Sequence, residues 1–131
     1  MYQKVDAEIL RQVEEIAGRE NVVVDAERLE RYAHDETVGL RAEPEVVVRA
    51  TSTQQVADLF KLANRERVPI TPRGAGYGLS GGAVATQGGI VLSLEKMDRI
   101  LEIDHDNLMV TVEPGIITGE LHRAVEEVGL F

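Results

Sequence analysis

The sequence predicts an α+β fold: a small parallel βαβ unit, then a pair of antiparallel strands. Three observations carry this. The uninterrupted β-branched run Val46-Val47-Val48, the amphipathic stretch Gln54 to Arg67 and the short apolar run Val68-Pro69-Ile70-Thr71 read as strand, helix and strand. A βαβ unit of this length has parallel strands and a right-handed crossover. Further on, Ile100 to Asp104 and Met109 to Glu113 alternate on either side of His105-Asp106-Asn107, the pattern of a hairpin. Between the two lies a glycine-rich run at the end of the second parallel strand, where ligands of open α/β sheets bind.

Each element has a local reason. Val5 to Ala17 carries Val5, Ile9, Leu10, Val13, Ile16 and Ala17 at helical spacing, with Asp6 as a cap and Gly18 as a stop. Val22-Val23-Val24 is a short strand. Asp25 starts a second short helix with Leu29, Tyr32 and Ala33 on one face. His34-Asp35-Glu36-Thr37 reads as a solvated polar loop, because adjacent loop residues do not all face one ligand. Thr51-Ser52-Thr53 offers a cap to the helix from Gln54, which carries Val56, Leu59, Phe60, Leu62 and Ala63 at helical spacing. Ile90 to Leu94 is a strand, Glu95 to Asp98 a turn, and Pro114-Gly115 breaks the last strand. Thr118 caps a final helix with Leu121, Ala124, Val125 and Val128 inward, and Gly129 ends it.

Composition narrows the function. The 131 residues make one ordinary domain. A net charge of −9 argues against a nucleic-acid or anionic-membrane partner. With five aromatic residues, three Tyr and two Phe, there is no base-stacking surface. Without cysteine there is neither a disulfide nor a thiolate metal site. The start, Met1 to Asp6, lacks a signal-peptide core, and no apolar run approaches membrane-spanning length. The expectation is a cytoplasmic protein without a membrane span.

The glycine-rich run is Pro72-Arg73-Gly74-Ala75-Gly76-Tyr77-Gly78-Leu79-Ser80-Gly81-Gly82. Five of the nine residues from Gly74 to Gly82 are glycine. Such a run is costly to order and is kept where backbone must come close to a ligand. Successive N–H groups in it form a concave anion site. Arg73 is expected at the lip as a fixed positive charge, and Ser80 as a hydroxyl donor, which suits a phosphate or pyrophosphate. A Walker A loop is excluded, since no Lys-Ser/Thr pair follows the last glycine. Gly76-x-Gly78-x-x-Gly81 matches the dinucleotide fingerprint literally. Only Ala83 to Gln87 then precede Gly88-Gly89 and a new strand, too few residues for the helix that fingerprint needs.

From Pro69 to Gly82 the sequence resembles the pyrophosphate loop of FAD-linked oxidases of the vanillyl-alcohol oxidase type, and within them the glycolate oxidase flavin subunit and D-lactate dehydrogenase group. The likeness spans about Arg41 to Phe131. Tyr77 departs from the Thr or Ser usual at its position. The resemblance implies a fold of the FAD-binding type, with 1–40 as a helical leader and 41–131 as the N-terminal part of the FAD-binding domain. It assigns FAD to Arg73, Gly74, Ala75, Gly76, Tyr77, Gly78, Ser80, Gly81 and Gly82, with Pro114 and Gly115 approaching by backbone. No catalytic or metal-ligating residue is assigned. It makes the βαβ unit a first, parallel subdomain, and places Ile90 to Leu94, with the two later strands, in a larger antiparallel sheet as the opening antiparallel strands of a second subdomain.

The same resemblance implies that further cofactor-binding segments and a substrate domain lie beyond Phe131. The parent is then expected to oxidise a small 2-hydroxy acid such as glycolate or D-lactate. The 131-residue chain alone is expected to be inactive and to self-associate through uncovered strand edges. The alternative is a stand-alone nucleotide-binding or regulatory module without redox activity.

Overall fold

The computed structural model describes all residues from Met1 to Phe131. Helix α1 spans Ala7–Ala17, and the Asp6 carboxylate accepts from Ile9 N at 2.8 Å to cap it. Strand β1 is Val22–Val23, and α2 is Ala26–Leu29, extended by a 3-10 turn over Glu30–Tyr32. Then come β2 (Val46–Arg49), α3 (Thr53–Glu66), β3 (Ile70–Arg73), β4 (Ile90–Ser93), β5 (Ile100–Asp104), β6 (Met109–Val112) and α4 (Thr118–Glu126). Ser52 caps α3 through Gln55 N.

The main sheet has the order β1-β2-β4-β3. β1 runs antiparallel to β2, while β4 is parallel to both β2 and β3. The βαβ unit is therefore present, but β4 is inserted between its two strands. That corrects one expectation: Ile90 to Leu94 does not join an antiparallel sheet. β4 is a central parallel strand whose four residues are all buried, as Ile90-Val91-Leu92 requires when helices and loops cover both faces. β3 is left at the edge, which explains how Pro72 is tolerated inside it. β5 and β6 form the expected antiparallel hairpin, as a two-stranded sheet of their own.

One face of the sheet packs against α1 and α3 through Ile9, Val13, Ala17, Leu59 and Leu62, around Val46, Val48, Ile90 and Leu92. The segment before Arg41 thus shares this core. The other face holds a smaller cluster of Val23, Leu29, Val47, Ala85 and Val91. No helix is long and apolar enough to cross a membrane.

Candidate functional site: the glycine loop and its cleft

The parallel strands end together at Arg49, Arg73 and Ser93. The glycine loop leaves β3 at this edge. Its carbonyls are used by the protein: Gly78 O accepts from Glu36 N at 3.0 Å, and Gly81 O from Val84 N at 3.2 Å. Its N–H groups are not. From Gly74 to Ser80 no backbone N–H has a backbone acceptor. A Cβ built on Gly74 or Gly82 would meet nothing within 4 Å. The loop therefore presents a run of free donors beside open space, the arrangement an anionic group needs.

Gly74, Ala75 and Tyr77 line a cleft of about 620 Å³ with Pro114, Gly115, Ile116 and the start of α4. The two groups of residues singled out in the sequence, far apart along the chain, thus meet at one site. Gly115 has a packing reason for its identity: its N–H donates to Met97 O at 2.7 Å, and a Cβ there would run into Leu94 O. Thr118 does not cap α4. Ile117 occupies the cap position, without any side-chain bond to the helix N-terminus.

Gly76 has φ +81°, and a Cβ on it would overlap the Arg73 guanidinium. Glycine is required there both by conformation and by the group packed against it. Tyr77 is exposed, as are Leu79 and Ser80. Gly78 lies over Asp35, and Gly81 against Leu40.

Arg73 is not at the lip. It is 6% exposed, and its guanidinium turns under the loop. Nη1 donates to His34 O at 2.7 Å and Nη2 to Arg31 O at 3.3 Å, with the Tyr32 ring 5.7 Å from the cation. A buried guanidinium needs acceptors for its fork of donors, and the carbonyls of residues 31 and 34 supply them.

The reading of His34 to Thr37 as a solvated loop holds for the exposed His34 and Glu36 and is corrected at Asp35. Asp35 is 6% exposed. Its Oδ1 accepts from Thr37 N at 2.9 Å. The Thr37 hydroxyl is the main influence holding the Asp35 carboxyl below the usual aspartate range, followed by the Thr37 N–H, the Gly81 N–H and the Arg73 charge. Of these only the Thr37 N–H contact is well formed, which leaves Asp35 Oδ2 and Thr37 Oγ1 buried without a partner.

Glu95 is a further cleft residue that residue-by-residue reading passed over. It follows β4 at the ligand edge of the sheet, lines the cleft, and accepts from Tyr32 OH at 3.1 Å. Its position after a central parallel strand was the available signal. Burial raises the Tyr32 hydroxyl above its ordinary range, with Glu95 adding to it. No group of His, Asp or Glu is arranged to hold a metal ion.

Comparison with known proteins agrees with this geometry. The chain is 42% identical over 131 residues to a D-lactate dehydrogenase of Anaerostipes hadrus, covering 99% of this chain and 27% of that protein. It is 39% identical over 128 residues to glycolate oxidase subunit GlcD of Bacillus subtilis (strain 168), covering 97% and 27%. The solved structure of p-cresol methylhydroxylase superposes with a TM-score of 0.82 at 29% identity, over 94% of this chain and 25% of that one. The chain thus spans about a quarter of the length of the relatives it matches. Residues 44–131 match the model of the FAD binding domain, from just before β2 through the glycine loop, the cleft and α4. With sequence, superposition and a donor-rich loop in agreement, the chain belongs to the FAD-binding domain family of flavin oxidoreductases, in the company of the vanillyl-alcohol oxidase type.

Proposed function

We propose that the glycine loop holds the FAD pyrophosphate, and that the parent protein oxidises a small 2-hydroxy acid of the glycolate or D-lactate kind. The observation that carries the first part is the run of N–H groups without a backbone acceptor from Gly74 to Ser80, of which Gly74, Ala75 and Tyr77 line a cleft with Pro114 and Gly115. These donors are fixed by the backbone, so a chain of net charge −9 binds an anion through local geometry and not through its overall field. The names of the two relatives support the substrate class. FAD supplies the hydride-accepting chemistry when bound. This chain's residues cradle phosphate and bring Pro114-Gly115 against the cofactor side of the cleft.

Flavin fluorescence titration tests the reading. Gly76→Val should abolish measurable FAD binding, since it combines a strained φ, costing about 1–2 kcal/mol, with a clash against Arg73. Unchanged affinity in Gly76→Val would refute the loop as the phosphate site. Flavin reduction in the parent by D-lactate or glycolate, and not by the corresponding unhydroxylated acids, tests the substrate class.

We also propose that the 131-residue chain self-associates through the β5, β6 and α4 face. Leu101, Leu108, Met109 and Phe131 are exposed there, and apolar surface of this kind recruits a partner. Repulsion between acidic copies is screened beyond ~8 Å at physiological salt. Mass that rises with concentration in sedimentation supports this. A 14.4 kDa monomer at every concentration would overturn it.

A further inference from the structure

We propose that residues 31–37 act as a latch beneath the glycine loop, with Arg73 and Asp35 as positioning residues that fix its N–H groups instead of touching phosphate themselves. This rests on the reading of the loop as a pyrophosphate site.

Four sets of contacts define the latch. Arg73 donates to the carbonyls of Arg31 and His34, which ties the end of β3 to the segment after α2, and its Nη1 also reaches Ala83 O at 3.5 Å, on the far side of the loop. Glu36 N donates to Gly78 O, which turns that peptide so that its carbonyl faces the protein. Asp35, buried below Gly78, keeps Oδ2 free and has the Gly81 N–H among its neighbours. Tyr32 lies against Arg73 and donates its hydroxyl to Glu95 in the cleft wall. A glycine-rich loop has many conformations of similar energy, so free donors align only where something else fixes the chain. Here the Gly78 carbonyl is taken up from below, and the N–H groups from Gly74 to Ser80 are left without a backbone acceptor.

Two charge effects separate this role from direct contact. Lysine keeps the charge of Arg73 but lacks the fork that joins two carbonyls. Asparagine removes a negative charge from beneath an anion site. If these residues acted only through their field, Arg73→Lys would leave FAD affinity unchanged and Asp35→Asn would strengthen it. As positioning residues, both variants weaken FAD binding, by about tenfold for one lost charged hydrogen bond.

The experiment is FAD titration of the chain and the two variants across salt concentration, with amide exchange measured on the same ligand-free samples. The expected result is weaker FAD binding in both variants, an unchanged salt dependence, and faster exchange at Glu36 and Val84, whose N–H groups donate to Gly78 O and Gly81 O, with exchange at Val46 to Arg49 unaltered. Wild-type affinity in Arg73→Lys, tighter binding in Asp35→Asn, or unaltered exchange at both Glu36 and Val84 would overturn the latch. Loss of protection at Val46 to Arg49 as well would make these residues determinants of folding and would overturn it equally. If the wild-type chain binds no FAD, the pyrophosphate reading fails, and the ligand-free exchange still decides the latch.

Discussion

Strand β2 and helix α4 show how differently the two parts of this molecule are held. Val46, Val47 and Val48 of β2 are fully buried, between α1 and α3 on one side and the Leu29 cluster on the other. α4 has no buried residue along its whole length. Its apolar stripe, Leu121 and Val125, shares an open groove with Ile103, Met109, Val110 and Phe131. The first part is closed by its own core. The second is an antiparallel pair and a helix whose apolar surface is only partly covered. The cleft lies where the two meet, so site geometry depends on a stable partner and on a weaker one.

That contrast is open to direct attack. The largest effect is expected in the core. Leu59→Ala, at a fully buried position of α3, should cost about 2–5 kcal/mol in urea denaturation. Val125→Ala on α4 should cost less than about 1 kcal/mol. Equal losses would mean that the two parts are equally packed.

A smaller effect is expected at the junction. Gly115→Ala pushes a methyl group onto Leu94 O and should cost about 1–3 kcal/mol. Because it moves Pro114 and the start of α4 relative to the glycine loop, FAD binding should weaken more than Val125→Ala weakens it. Intact affinity would show that the loop alone forms the site.

The smallest effect is one of pH. Glu113 is buried at the end of β6 and accepts from Arg99 Nη2 at 2.8 Å and from Arg99 N at 2.9 Å. The Arg99 guanidinium, and then its N–H, hold the Glu113 carboxyl below the usual glutamate range. A carboxyl lowered in the folded state stabilises above its unfolded value, about 4.3, and that contribution fades as pH falls through its folded value. The hairpin should therefore loosen on acidification, seen as faster exchange at Ile100 to Asp104. Glu113→Gln should flatten this dependence. An identical acid profile in the variant would remove Glu113 as the cause.

The two parts also differed in how well sequence disclosed them. Helix positions and the caps Asp6 and Ser52 were legible because periodicity and capping act locally, whereas Thr118 proved to lie inside α4 behind Ile117. Strand order was not, since pairing is settled between residues far apart in sequence. Ile90-Val91-Leu92 carried the mark of a strand buried on both faces, yet an apolar run alone does not name its neighbours. The loop and Pro114-Gly115 were visible as composition, and the cleft unites them. Arg73 was misplaced because its partners, the carbonyls of Arg31 and His34, carry no side-chain signature. Asp35 was lost among polar neighbours for the same reason: burial by a distant loop leaves no local pattern.

The central claim, that phosphate binds to the loop's backbone donors, is tested most directly by amide chemical shifts during titration with ADP, which carries a pyrophosphate and no flavin ring. The expected result is saturable perturbation of Gly74 to Gly82, extending to Gly115 and the first turn of α4. Perturbation confined to the opposite end of the sheet, around Tyr2, Asn64 and Gln87, with the glycine loop unmoved, would contradict it.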